Sequence, residues 1–299
     1  MFFPIFMSLY SMDEDLIEGF DNFVIGNFTQ CLELSNRARP TSDFAQFLWT
    51  SLTARCHLAL NHMDMVRELK NQSLPSLQGT AFFAVFQKSS QEAQRKAAFE
   101  KVIENANSSN GEAVSCYYSC VARAIAGDLI DAIHYAKAVA ASSPSEFNAL
   151  RAQFSLAINR PDLADKILKT ESSGDDSAAA KLVSAVYSLV TGNASEACMS
   201  YSDLIAQFGA ESSLSLMNGR AVGNVQRGLY TEAQDDLESV LSVNQNDPDA
   251  LRNFVTCLTW QGKSGEARDA LNRLNLSVPH HKLQSDLNRV AGAFAQFAS

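Results

Sequence analysis

A small residue returns along this chain once per helical hairpin: Cys31, Val66, Ala97, Ala132, Ala164, Ala197, Ala233 and Ala267. The successive separations are 35, 31, 35, 32, 33, 36 and 34 residues, and self-similarity at a period of about 20 to 50 residues is the mark of a repeat array. Two helices cross closely only where a side chain is nearly absent, so each of these positions marks a packing contact inside one repeat. The spacing predicts an all-α fold, a right-handed superhelical solenoid of helix-turn-helix units. Arrays of this kind present long curved surfaces to partners, and that bears on function before any motif does.

The clearest copies lie near the C-terminus. QRGLYTEAQDDLESVL, from Gln226, aligns without a gap on WQGKSGEARDALNRLN, from Trp260; Gly228/Gly262, Glu232/Glu266, Ala233/Ala267 and Leu237/Leu271 are each 34 residues apart. Glycine lets the chain leave the first helix in a left-handed conformation, and the acidic residue before the alanine suits the first turn of the second helix. This is the grammar of tetratricopeptide repeats. AGDLIDAIHYA (from Ala126) and TGNASEACMSY (from Thr191) follow it, IGNFTQCLEL (from Ile25) is the N-terminal copy, and NRPDLADKIL (from Asn159) uses proline at the helix start. Weaker copies begin at Asn61 and at Gln91, the latter placed on Ala97. The expected organisation is an N-terminal extension over 1–11, then one solenoid over 12–299 ending in a capping helix at about 280–297.

Composition narrows the function classes. The 299 residues are 46% hydrophobic with only seven prolines, which suits a helical core and disfavours a sheet-rich one. A formal charge of −9 and the absence of any Lys/Arg run argue against nucleic acid and against direct binding to an anionic membrane. The opening MFFPIFMSLYS is apolar but lacks a basic start and runs directly into MDEDL, so it reads as an extension before an alternative start at Met12 rather than as a signal peptide. In a reducing compartment the six cysteines are small buried apolar residues, and even Cys116 and Cys120, four apart on one helix, have no histidine cluster to complete a zinc site.

Motifs that suggest chemistry do not survive inspection. The GKS at Gly262 lacks the earlier glycine of a phosphate loop, Cys257 standing in its place. Five N-x-S/T sequons, at Asn27, Asn71, Asn107, Asn193 and Asn275, are chance occurrences in a cytosolic chain. No GxSxG elbow is present and no histidine stands at ligand spacing from an acidic pair or a cysteine. No catalytic residue, metal site or cofactor is therefore expected.

The first helix of each repeat should line the concave side. Its inward positions are Leu16, Phe20 and Phe23 in the first repeat, Tyr117, Val121 and Ala124 in the middle, and Leu182, Val186 and Leu189 later on. A groove that grips a charged peptide tail would carry Lys, Arg and Asn there. This one is apolar, with Asn218 and Arg252 as polar candidates and Arg55 as the other basic residue at a groove position. Two accounts stay open: these side chains receive an apolar partner segment, or they pack as core against their own repeats. The partner-binding candidates are Phe20, Phe23, Tyr117, Val121, Leu182, Val186, Asn218 and Arg252.

Three stretches carry a resemblance to a known family. FDNFVIGNFTQCLELSNR (from Phe20), LSLMNGRAVGNVQRGLYTEAQDDLESVLSVNQNDPDALRNFVTCLTWQGK (from Leu214) and NRPDLADKIL resemble the epsilon subunit of coatomer, and PHHKLQSDLNRVAGAFAQFA falls where that family has a last amphipathic helix. The resemblance implies a non-catalytic, cytosolic protein that joins the C-terminal region of the alpha coatomer subunit. Through it, such a protein meets the other coat subunits and sits peripherally on Golgi membranes and COPI-coated vesicles, in retrograde Golgi-to-ER and intra-Golgi transport. The alternatives are a generic tetratricopeptide adaptor or co-chaperone, which would need a basic clamp, and a helical-repeat enzyme subunit, which would need a metal or polar cluster.

Overall fold

The computed structural model describes residues 14–209, 214–278 and 282–297; among these there are α-helices and no strand. The extension expected over 1–11 lies outside the described residues. The helices group into two compact units, residues 1–191 and 192–299. The first holds α1 (Glu14–Val24) with α2 (Phe28–Arg37), α3 (Asp43–Ala59) with α4 (Met63–Glu68), and α5 (Pro75–Lys88) with α6 (Glu92–Ser108). It continues with α7 (Ala113–Ile125) and α8 (Leu129–Val139), α9 (Pro144–Ala157) and α10 (Pro161–Lys166), and ends on α11 (Ala178–Val190). The second holds α12 (Ala194–Phe208), α13 (Leu214–Gln226), α14 (Tyr230–Val243), α15 (Pro248–Trp260), α16 (Ser264–Ser277) and α17 (Lys282–Phe297).

The periodic small residues fall on the even-numbered helices, one on each from α2 to α16. Cys31, Ala132, Ala164, Ala197 and Ala233 are fully buried, Val66 is 1% exposed and Ala267 7%. The copy at Gln91 is the exception: Ala97 is exposed and the buried residue is Ala98. The corrected neighbouring separations, 32 and 34 residues, fit the period better than 31 and 35. The reason lies in the turn. Gly26, Asn61, Gly127, Asn159, Gly192, Gly228 and Gly262 all adopt positive φ just before the second helix of their repeats, whereas α5 gives way to α6 through the extended residues Ser89 and Gln91. A differently shaped connection enters the helix in a different register.

Close approach recurs between helices elsewhere. A Cβ on Gly19 would lie 2.7 Å from the Trp49 ring, and one on Gly219 would lie 2.5 Å from the Tyr201 ring, so both positions exclude any larger residue without repacking.

In the first unit the odd-numbered helices form an inner wall, joined in sequence by buried apolar clusters. Leu16 of α1 packs with Trp49 and Leu52 of α3; Leu58 of α3 with Phe83 of α5 and Tyr118 of α7; Cys116 of α7 with Phe147 of α9; and Ala152 of α9 with Val183 of α11. The wall then closes on itself. Asp21 of α1 accepts a hydrogen bond from the Ala178 amide of α11 at 3.1 Å, and Arg55 of α3 forms an ion pair with Glu146 of α9. These links span 157 and 91 residues of sequence.

Two outcomes are expected in urea denaturation of purified variants. Ala98→Leu should lose about 1–3 kcal/mol from overpacking while Ala97→Leu stays near wild type; the reverse order would restore the original register. Glu146→Ala leaves the buried Arg55 charge without its counter-ion and should cost about 3–5 kcal/mol, and the apolar pair Arg55→Met/Glu146→Leu should recover most of that loss. Strictly additive losses would mean that the two side chains do not act as a pair.

Candidate partner-binding face

Arg55 sits where the inner wall of the first unit converges. Its side chain is 2% exposed, and an arginine so placed is tolerated only if its charge is paired and its faces are covered. Both conditions hold. Glu146 accepts from its Nη2, and the Phe23 and Tyr117 rings lie 4.4 and 4.5 Å from the guanidinium carbon, within cation–π range. Burial is the largest single influence on this group and works against its charge, but Glu146, by charge and by hydrogen bond, leads the effects that outweigh it and hold it firmly protonated. Burial raises the Tyr117 phenol, with Arg55 opposing, so the stack is a neutral ring against a cation at any ordinary pH.

The structure thus brings Phe23 and Tyr117, 94 residues apart in sequence, to one guanidinium. Phe20 is half-buried beside Phe23 against the Leu16–Trp49 cluster. Val121 is half-buried one turn beyond Tyr117, and both touch the clusters on either side of α7. Leu182 and Val186 are half-buried on α11, next to the core residue Val183 and to Tyr187, whose hydroxyl donates to Asp165 at 2.9 Å. Glu146 and Asp21 were not among the sequence candidates. Burial raises the Asp21 carboxyl above the usual carboxylate range, with the Ala178 amide and Lys181 pulling the other way.

Asn218 and Arg252 belong to the second unit, where Asn253 connects them. Asn253 Nδ2 donates to Asn218 Oδ1 at 2.9 Å, and Arg252 Nε donates to Asn253 Oδ1 at 3.4 Å. Asn218 and Asn253 are 35 residues apart, one repeat, so the hydrogen bond runs between equivalent faces of α13 and α15. Arg252 is exposed and lies 3.8 Å from Asp249. Deeper in this unit Arg220 clamps Asp236 through two hydrogen bonds of 3.0 and 2.6 Å.

The cysteines are all free and buried. Cys56 shares a buried cluster with Cys31, a neighbour that sequence spacing did not bring out, and its thiol is raised by that neighbour and by burial. Cys120 is pushed up to about 12 by burial. Raised thiols are poor nucleophiles and poor metal ligands. Among the described residues no three His, Cys, Asp or Glu side chains stand together as a metal set.

Comparison with known proteins places this arrangement. The chain is similar in structure to the APC/C hetero-tetramer Cut9-Hcn1, with a TM-score of 0.65 and 12% identity over 94% of this chain and 56% of that one. It is also similar to a tetratricopeptide repeat protein from Parabacteroides merdae, with a TM-score of 0.58 and 14% identity over 87% of this chain and 97% of that one. At such identities the likeness establishes the fold alone, an all-α tetratricopeptide-like solenoid. In sequence it is 31% identical over 155 residues to coatomer subunit epsilon-1 of Arabidopsis thaliana, covering 51% of each chain. It is 25% identical over 241 residues to coatomer subunit epsilon-1 of Oryza sativa subsp. japonica, covering 78% of this chain and 79% of that one. The match thus spans about half the length of the Arabidopsis relative. The model of the coatomer epsilon subunit family matches residues 13–299, nearly the whole sequence, and the chain belongs to that family.

Proposed function

We propose that this chain is a non-catalytic structural subunit of the coatomer coat that binds the C-terminal region of the alpha subunit through the inner wall of its first unit. The observation that carries the reading is the character of that wall. Phe20, Phe23, Tyr117, Val121, Leu182 and Val186 are half-buried apolar or aromatic side chains on helices that close into a ring. A polypeptide segment seated there would be held by burial, at about 25 cal/mol per Å² of apolar surface, rather than by rim ion pairs worth below about 1 kcal/mol each.

The co-chaperone alternative draws no support from the basic residues. Arg55 is enclosed and already paired with Glu146, and Arg252 lies beside Asp249. Family membership supports the coat assignment, with contact to other coat subunits through the alpha subunit and a role in retrograde Golgi-to-ER and intra-Golgi transport. Among the described residues no helix is long and apolar enough to cross a membrane, which agrees with peripheral attachment to Golgi membranes through the coat.

Capture of the tagged chain from cytosol, read by mass spectrometry, should recover the other coat subunits in near-equal amounts; their absence would remove the coat assignment. Val121→Asp with Val186→Asp should abolish capture while circular dichroism and melting show a folded protein. An unfolded variant would make these side chains core only, and a folded variant that still captures the coat would move the interface elsewhere.

A further inference from the structure

We infer that the ring of the first unit opens between α1 and α11, and that Asp21 is the latch through which a partner segment gains the inner wall. The inference rests on the reading that the inner wall holds a partner. Consecutive inner helices are joined by the four buried apolar clusters, across α1–α3, α3–α5–α7, α7–α9 and α9–α11, and none of these four bridges α1 to α11. The described bonds across that seam are polar: the Asp21 carboxylate on the Ala178 amide, reinforced by Arg55 on Glu146 one helix further in on either side.

This difference decides where the ring parts. Separating an apolar cluster exposes its surface to water with no replacement, whereas the part-buried Asp21–Ala178 bond, and the Arg55–Glu146 pair once the seam is hydrated, exchange their hydrogen bonds for ones with water. The other inner-helix neighbours are also tethered through the outer helix between them, and α1 and α11 stand at opposite ends of that series. Helix α11 does not depend on the latch for its own start. Ser177 caps it by accepting from the Ala180 amide at 3.3 Å, and Asp175 accepts from the Ser177 amide at 3.0 Å. The loop before it contains Gly174 at a φ of 79°, a residue suited to absorb a change of direction. Burial of the Asp21 carboxylate in the closed form is relieved on opening, since the same group is then solvated.

The test joins the two sides of the seam. Asp21→Cys with Ala178→Cys in the full chain is to be mixed, reduced and oxidised in turn, with the recombinant C-terminal region of the alpha subunit, and association followed by stopped flow. Mass mapping of the new disulfide, with the six native thiols still free, confirms the lock. Reduced protein should associate at least as fast as wild type and oxidised protein at least tenfold more slowly, with dithiothreitol restoring the rate. Equal rates for the oxidised and reduced forms would overturn the latch while leaving the inner-wall reading in place. Hydrogen exchange of the Ala178 amide, measured without partner, is the second readout: Asp21→Ala, which removes the acceptor, should raise its exchange rate several-fold relative to amides of the α7–α9 cluster. An unchanged rate would overturn the latch even if the alpha region binds. Failure of both wild-type and reduced protein to associate would count against the partner reading itself, and with it the latch as an entry route.

Discussion

Each hairpin of this chain closes only where its outer helix is reduced to a small side chain, and the rest of the architecture follows from that constraint. From Cys31 to Ala267 one such residue per outer helix is buried, which lets inner and outer helices approach to the distance that ridge-into-groove packing requires. The same demand appears at Gly19 under Trp49 and Gly219 under Tyr201. In the first unit, buried side chains of the odd-numbered helices such as Leu16, Trp49, Leu52, Phe83, Phe86 and Phe147 converge to make the wall.

Most of this was legible because it is local or periodic. Seven of the eight small residues were placed correctly, and Asn218 with Asn253 repeats at one period, a relation visible in the alignment of repeats. Ala98 was missed because the repeat at Gln91 lacks the left-handed turn residue that sets the register elsewhere. The copy at Asn61 was weak for a related reason: asparagine holds a conformation there that glycine holds in the clearer repeats. What sequence could not supply was the meeting of distant groups. Arg55 stood at a groove position, but nothing in its neighbourhood announces Glu146, nor does the stretch around Asp21 announce Ala178. Ring closure depends on accumulated curvature over many helices, a property of the whole series rather than of any one hairpin.

Arg55 also changes the picture of the interior. Apolar periodicity alone suggests an open greasy groove, yet the described wall folds its aromatics over a paired cation. An ion pair in such a place adds little net stability compared with well-packed hydrophobes, but its geometry discriminates among arrangements that apolar packing would accept equally. In the proposed reading the aromatics would supply the binding area, while the arginine links α3 to α9 across the ring. The guanidinium is enclosed and paired, so its charge is satisfied inside the chain rather than offered to a partner.

The central claim is that the first unit is a ring, with α1 held against α11. Pulsed electron–electron double resonance between spin labels at Glu18 and Lys181, both exposed and on the two helices in question, measures it directly. The account predicts a narrow distance distribution near the short end of the accessible range in the free protein. A broad distribution centred at long distance would show an open arc and contradict it.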